Sequence, residues 1–129
     1  MKPNKREYFR FLVNINAFVA FGRKLIKFGR LKDISVDGLA FEYASNDDLD
    51  SEDSQLDIFL PGDLFHISKI PCKIIYDKEV DESDTKWAYE DVMTKRCGVM
   101  FGTLTSGEMS QLEFFLEKYT THRVVSLAQ

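Results

Sequence analysis

From Phe11 to Phe21 the chain alternates apolar and polar positions, with Phe11, Val13, Ile15, Ala17, Val19 and Phe21 on one side of a period of two. Side chains of a strand change face at every residue, so the stretch predicts one half-buried strand. "FGR" at residues 21–23 supplies a turn, and "KLIKFGRLKDIS" continues as a second strand. "GLAFEY", from Gly38, predicts a third. "QLDIFL" and "FHISKIPCKIIY" follow, separated by "PGD", a Pro-Gly pair suited to a tight turn between antiparallel strands. "WAYEDVMTKRCGVMFGTL" is rich in the strand formers Val, Phe, Tyr and Trp. The period then changes: Leu112, Phe115, Leu116 and Tyr119 recur at helical spacing, and "TSGE" at residues 105–108 fits a capping box. Short strands with regular turns and one closing amphipathic helix predict a mainly β fold, an antiparallel barrel with a C-terminal α-helix packed on it.

A chain of 129 residues without repeats or a low-complexity linker predicts a single domain with one core. Within it, residues 1–10 read as a basic arm, 11–104 as the barrel and 105–120 as the helix. Apolar content of 44% and eleven Phe exclude a disordered chain. No apolar run approaches the ~20 residues of a membrane-spanning helix. "MKPNKREYFR" is not followed by a signal-peptide core, so a cytoplasmic location is expected. Cys72 and Cys97 are too isolated for a disulfide framework or a metal site and read as reduced core residues.

The net charge of −4 conceals an asymmetry. Residues 1–32 hold nine basic residues against Glu7 alone, a balance of +8, so the remainder carries −12. A locally basic end on an acidic chain suits capture of a compact anion, although lysines on solvated edge strands would give the same count. Residues 46–54, "NDDLDSEDS", carry five acids and read as a solvated loop, as does "DKEVDESDTK" at 77–86. A calcium loop beginning at Asp48 would need Gly at its sixth position, where Asp53 stands. No metal site is expected.

Catalytic signatures are absent: no phosphate-binding GxxxxGK[ST], no GxGxxG, no HExxH and no GxSxG. His66 lies in a strand pattern and His122 just past the helix, neither near a nucleophile. The expected protein is not an enzyme and needs no cofactor.

Two stretches remain. In "KDISVDGLAF", residues 32–41, Asp33 and Ser35 lie two apart, which on an extended chain points both to one face, and Gly38 can supply a positive φ. A carboxylate and a hydroxyl together can satisfy the N–H donors of a purine edge. In "REYFR", Arg6 and Arg10 offer planar forks for phosphate, guanine or stacking on a base. Singly, each motif reads more readily as a capped turn or a solvated tail, because Asp, Ser and Gly are common turn residues. Jointly, Arg6-x-x-x-Arg10, twenty-two intervening residues and Asp33-x-Ser35-x-x-Gly38 resemble the paired signature of the PilZ domain. "CGVMFGTL" followed by an amphipathic helix is similar to that family's closing segment. The resemblance implies a six-stranded antiparallel barrel that binds the bacterial second messenger cyclic di-GMP. It implies that Arg6 and Arg10 grip phosphate and guanine while Asp33, Ser35 and Gly38 hold a guanine base. Lys5 precedes the first arginine, where a further Arg goes with binding a stacked pair of ligands; it keeps the charge without the fork.

The expected function is therefore that of a cyclic di-GMP receptor, without an output domain of its own, whose ligand orders the arm over the barrel and so alters the surface presented to a cytoplasmic effector in motility, pilus or biofilm signalling. Two alternatives differ in class. A nucleotide-independent adaptor for pilus or flagellar machinery predicts no affinity for the ligand. A barrel binding single-stranded nucleic acid through Phe18, Phe21 and Phe28 is disfavoured by −12 outside the basic third.

Overall fold

The structure, a computed structural model, describes residues 10–23, 26–44, 55–80 and 93–124. These form β1 (Arg10–Val13), β2 (Phe18–Phe21), β3 (Lys27–Ile34), β4 (Gly38–Ala44), β5 (Gln55–Leu60), β6 (Phe65–Glu79), β7 (Thr94–Phe101), α1 (Ser106–Tyr119) and β8 (Thr120–Val124). Six strands close into a ring in the order β2-β5-β6-β7-β4-β3, with β3 returning to β2 and every pairing antiparallel. Outside the ring, β1 pairs with β3 and β8 with β1.

Alternation fills the barrel. Val19 and Phe21, Leu31 and Ile34, Leu39, Phe41 and Tyr43, and Leu56, Ile58 and Leu60 point inward from four of the strands. Helix α1 contributes Leu112 and Phe115, with the Phe115 ring 5.2 Å from that of Phe65. Each fully buried side chain of this size contributes about 1.5–3 kcal/mol. The capping box is present: Glu108 N–H donates to Thr105 Oγ1 at 3.0 Å, and Thr105 N–H donates to the Glu108 carboxylate at 2.9 Å. Thr105→Ala is expected to cost about 1 kcal/mol in a denaturant melt.

The structure departs from the pattern reading in five places. The alternating stretch from Phe11 to Phe21 is two strands, not one. The period survives the break because Val13 and Ile15 also pack against the core while β1 leaves the ring. Arg10, assigned to the arm, opens β1. "PGD" forms one turn of 3₁₀ helix with Gly62 at φ 75°. Strand β6 runs on to Glu79, into the second acidic segment, because Asp77 accepts from Tyr43 Oη at 2.6 Å and from Lys95 Nζ at 3.3 Å. Strand β8 has no counterpart in the sequence reading. The first acidic loop and residues 81–92 lie outside the described residues.

Cys72 and Cys97 are free and buried. Burial pushes the Cys72 thiol from its ordinary 9.0 up to about 12, and burial, then the Asp77 carboxylate, raises Cys97 as well. An unfolded thiol ionises near 9.0 whereas the folded one stays protonated, so this contribution to stability is complete below that pH and is lost as pH rises toward about 12. At pH 8 a thiol reagent is expected to label neither cysteine faster than the chain opens; immediate labelling would show that the thiols are accessible.

Candidate functional site

The turn joining β3 to β4 contains two of the expected residues. Ser35 N–H donates to the Gly38 carbonyl at 2.8 Å. The Ser35 hydroxyl donates to the Asp37 carboxylate and, at 3.3 Å, to the Gly38 carbonyl, while Asp37 N–H donates to Ser35 Oγ at 3.3 Å. Phe101 N–H donates to the Asp37 carbonyl at 2.8 Å, tying the turn to the end of β7. Ser35 is fully buried, so it does not share an outward face with Asp33. Strand β3 ends at Ile34, and the turn spends the hydroxyl internally.

The expectation for Gly38 is also corrected. Among the described residues, the glycines with positive φ are Gly22 and Gly62. Gly38 is needed for proximity instead: a Cβ on it would stand 2.1 Å from the Val99 carbonyl oxygen of β7.

Asp33 is on the outer face of β3, where Arg10 meets it. Register sets Leu12 opposite Asp33 and Phe11 opposite Ile34, which brings Arg10 diagonal to the carboxylate. Arg10 Nε and Nη2 converge on Asp33 Oδ1 at 2.7 and 2.6 Å. With the two side chains 19% and 18% exposed, this is a part-buried, charge-assisted contact rather than a solvated surface pair. Arg10 and Asp33, separated by 23 positions, are thus brought together. Lys5 and Arg6 lie outside the described residues.

Beside this pair the sheet carries small residues. Asp33, Ala40, Gly98 and Tyr76 form one cross-strand row over β3, β4, β7 and β6. The small residues leave room for the Tyr76 ring, which lies so close that a Cβ on Gly98 would stand 2.3 Å from its edge. The neighbouring row is Arg30, Glu42, Arg96 and Lys78. Arg96 donates to the fully buried Glu42 carboxylate from Nε at 3.0 Å and Nη2 at 2.5 Å, and Lys78 Nζ stands 5.2 Å from the Tyr76 ring centroid. The face therefore combines forked cations, an acceptor carboxylate and an aromatic flank, the chemistry needed for a purine carrying an anion.

A sequence model of the PilZ domain matches residues 4–118. The chain belongs to the PilZ domain family. No curated protein is significantly similar in sequence. Among solved structures, YcgR from Escherichia coli in complex with c-di-GMP superposes with TM-score 0.64 at 17% identity, over 88% of this chain and 45% of that one. The isolated PilZ domain of the same protein with c-di-GMP gives 0.62 at 19%, over 89% of this chain and 93% of that one. The K. pneumonia MrkH–c-di-GMP complex gives 0.66 at 14%, over 89% and 52%. At these identities the likeness shows the PilZ fold, and this chain spans about half the length of the YcgR and MrkH chains.

Sequence reasoning missed Tyr76, Arg96 and Lys78 on the PilZ barrel, which reach the Asp33 face only through register across β4, β7 and β6. One signal was present: Ala40 and Glu42 alternate with Leu39, Phe41 and Tyr43, marking an outer face of β4 that is built rather than merely solvated. His66 is exposed and pairs with Asp57 at 3.0 Å; His122 falls in β8. Among the described residues no group of three or more His, Cys, Asp or Glu is placed to hold a metal, and no helix is long and apolar enough to cross a membrane.

Proposed function

We propose that this PilZ domain is a cytoplasmic receptor for cyclic di-GMP that signals to a protein effector in motility, pilus or biofilm control, without chemical turnover of the ligand. The observation that carries the reading is the Arg10–Asp33 contact, which joins the two halves of the motif on one outer face. Asp33 Oδ2 stands ready to accept from a guanine edge, while Arg10, anchored through Nε and Nη2, keeps its fork beside the incoming phosphate. Ser35 and Gly38 act by holding the turn and its approach to β7, and Arg6 with Lys5 completes the grip from the preceding segment. Tyr76 flanks the base. That YcgR and MrkH were solved as c-di-GMP complexes supports the same ligand here.

Calorimetric titration tests this. Cyclic di-GMP is expected to bind at low-micromolar affinity or tighter, about −8 kcal/mol, and to be recovered unchanged by chromatography. GMP and a short oligonucleotide are expected to bind far more weakly, because the first lacks the second base and phosphate and the second meets an acidic remainder. No heat at tens of micromolar cyclic di-GMP would exclude the receptor; cleaved ligand would exclude a passive one.

A further inference from the structure

Strand β2, "FVAF", is apolar on both faces. Val19 and Phe21 enter the core, which leaves Phe18 and Ala20 on the outside. A strand reading as an unbroken apolar run is expected where both faces are covered, yet the outer side here is partly open. Register extends it into two rows across β3, β2, β5 and β6: Arg30, Phe18, Phe59 and His66, and beside them Phe28, Ala20 and Asp57. Phe18 and Phe59 pack with ring centroids 5.8 Å apart and Phe59 meets His66 at 6.1 Å, whereas Phe28 is 64% exposed and Ile26 43%. Ile26, Phe28, Phe59 and His66, with Ala20 and Asp57, border an open groove of about 520 Å³, within the range of real binding sites. Phe28 is five residues before Asp33 on β3, about 15 Å along the strand, so this groove is not the face described above.

Its charge identifies the occupant. Arg23 and Lys69 line the groove. The carboxylate among them, Asp57, is already engaged: Oδ1 accepts from Lys69 N–H at 2.9 Å and Oδ2 pairs with His66 at 3.0 Å. A positive rim around an apolar floor, on a chain of net charge −4, is complementary to an apolar group flanked by carboxylates. Nucleic acid fits less well, because the Phe18 and Phe59 rings are tilted against each other and Phe28 alone offers an open ring face.

We propose that this groove docks an acidic peptide segment of a partner protein, seating one bulky apolar side chain against Phe28, Ala20 and Phe59 and its carboxylates on Arg23 and Lys69. The surface is separate from the nucleotide face and stands whether or not cyclic di-GMP binds there.

Random twelve-residue peptides displayed on phage are panned against the full chain, and the leading sequence is synthesised with a fluorophore for anisotropy. Enriched sequences are expected to carry two or more Asp or Glu around an aromatic or Leu. Binding should weaken at least tenfold in Phe28→Asp, about fivefold in Arg23→Glu, and with rising salt, while titration of Phe28→Asp with cyclic di-GMP matches the parent. Circular dichroism checks that Phe28→Asp is folded; if it is not, Arg23→Glu carries the test. No enrichment, enrichment of basic or uncharged sequences, or binding unmoved by these substitutions would overturn the proposal. A dimer dissolved by Phe28→Asp would assign the groove to a second copy, and oligonucleotide binding lost in that variant would assign it to nucleic acid; either overturns it.

Discussion

Gly38→Val is expected to destabilise the chain by about 3 kcal/mol or more, lowering the melting temperature by roughly 10 °C or abolishing the folded state. The first atom of the new side chain would lie 2.1 Å from the Val99 carbonyl oxygen and 3.2 Å from Met100 Cα. Both are backbone atoms of β7, which is hydrogen-bonded to β4 on one side and β6 on the other, so neither can swing away as a flexible side chain would. Relief requires prising β4 from β7 at the Gly38–Met100 pair, next to the hydrogen bond from Phe101 N–H to Asp37. Gly38→Ala meets the same oxygen and should shift the melt in the same direction by less. Thermal melts followed by circular dichroism decide it: a valine variant melting within a few degrees of the parent would mean that the strands do not approach this closely.

The second large effect is on binding. Arg10→Ala is expected to weaken cyclic di-GMP by about 2 kcal/mol or more, roughly thirtyfold, because it removes a fork held beside the acceptor carboxylate. It should also cost about 1 kcal/mol of stability, since Asp33, 18% exposed, loses its charged partner. Asp33→Ala should weaken binding as well, and the double substitution should fall short of the sum, as expected for two groups in contact that act as a unit. Calorimetry on the four proteins reads the coupling. Full affinity in Arg10→Ala would detach the arginine motif from the ligand; strict additivity would detach it from Asp33.

The barrel strands were legible where one face of each is buried, since period-two alternation follows directly from that burial. Their limits were not. The break between β1 and β2 leaves no mark, because Val13 and Ile15 find apolar partners on leaving the ring as they would inside it. The end of β6 was hidden because Asp77 is acidic in sequence yet held by Tyr43 and Lys95, partners far away in the chain. Strand β8, "TTHRV", follows the helix without Gly or Pro and has no alternation of its own. At the site, the spacing of the two motifs was readable, but Ser35 turns inward through local hydrogen bonds that spacing does not encode, and Tyr76 arrives by register alone.

The pairing of β8 with β1 bears on modularity. The family match ends at residue 118, whereas Arg10 pairs with Val124, Phe11 with Arg123 and Val13 with Thr120. The strand presenting the arginine is four residues long and is clamped between β3 and this late arrival. A graft of the domain into another protein, cut where the family's shared sequence stops, would keep the barrel and every motif residue yet lose the strand that pairs with Arg10. The transplantable unit extends at least to Val124, so the smallest portable domain is longer than the segment by which its kinship is recognised.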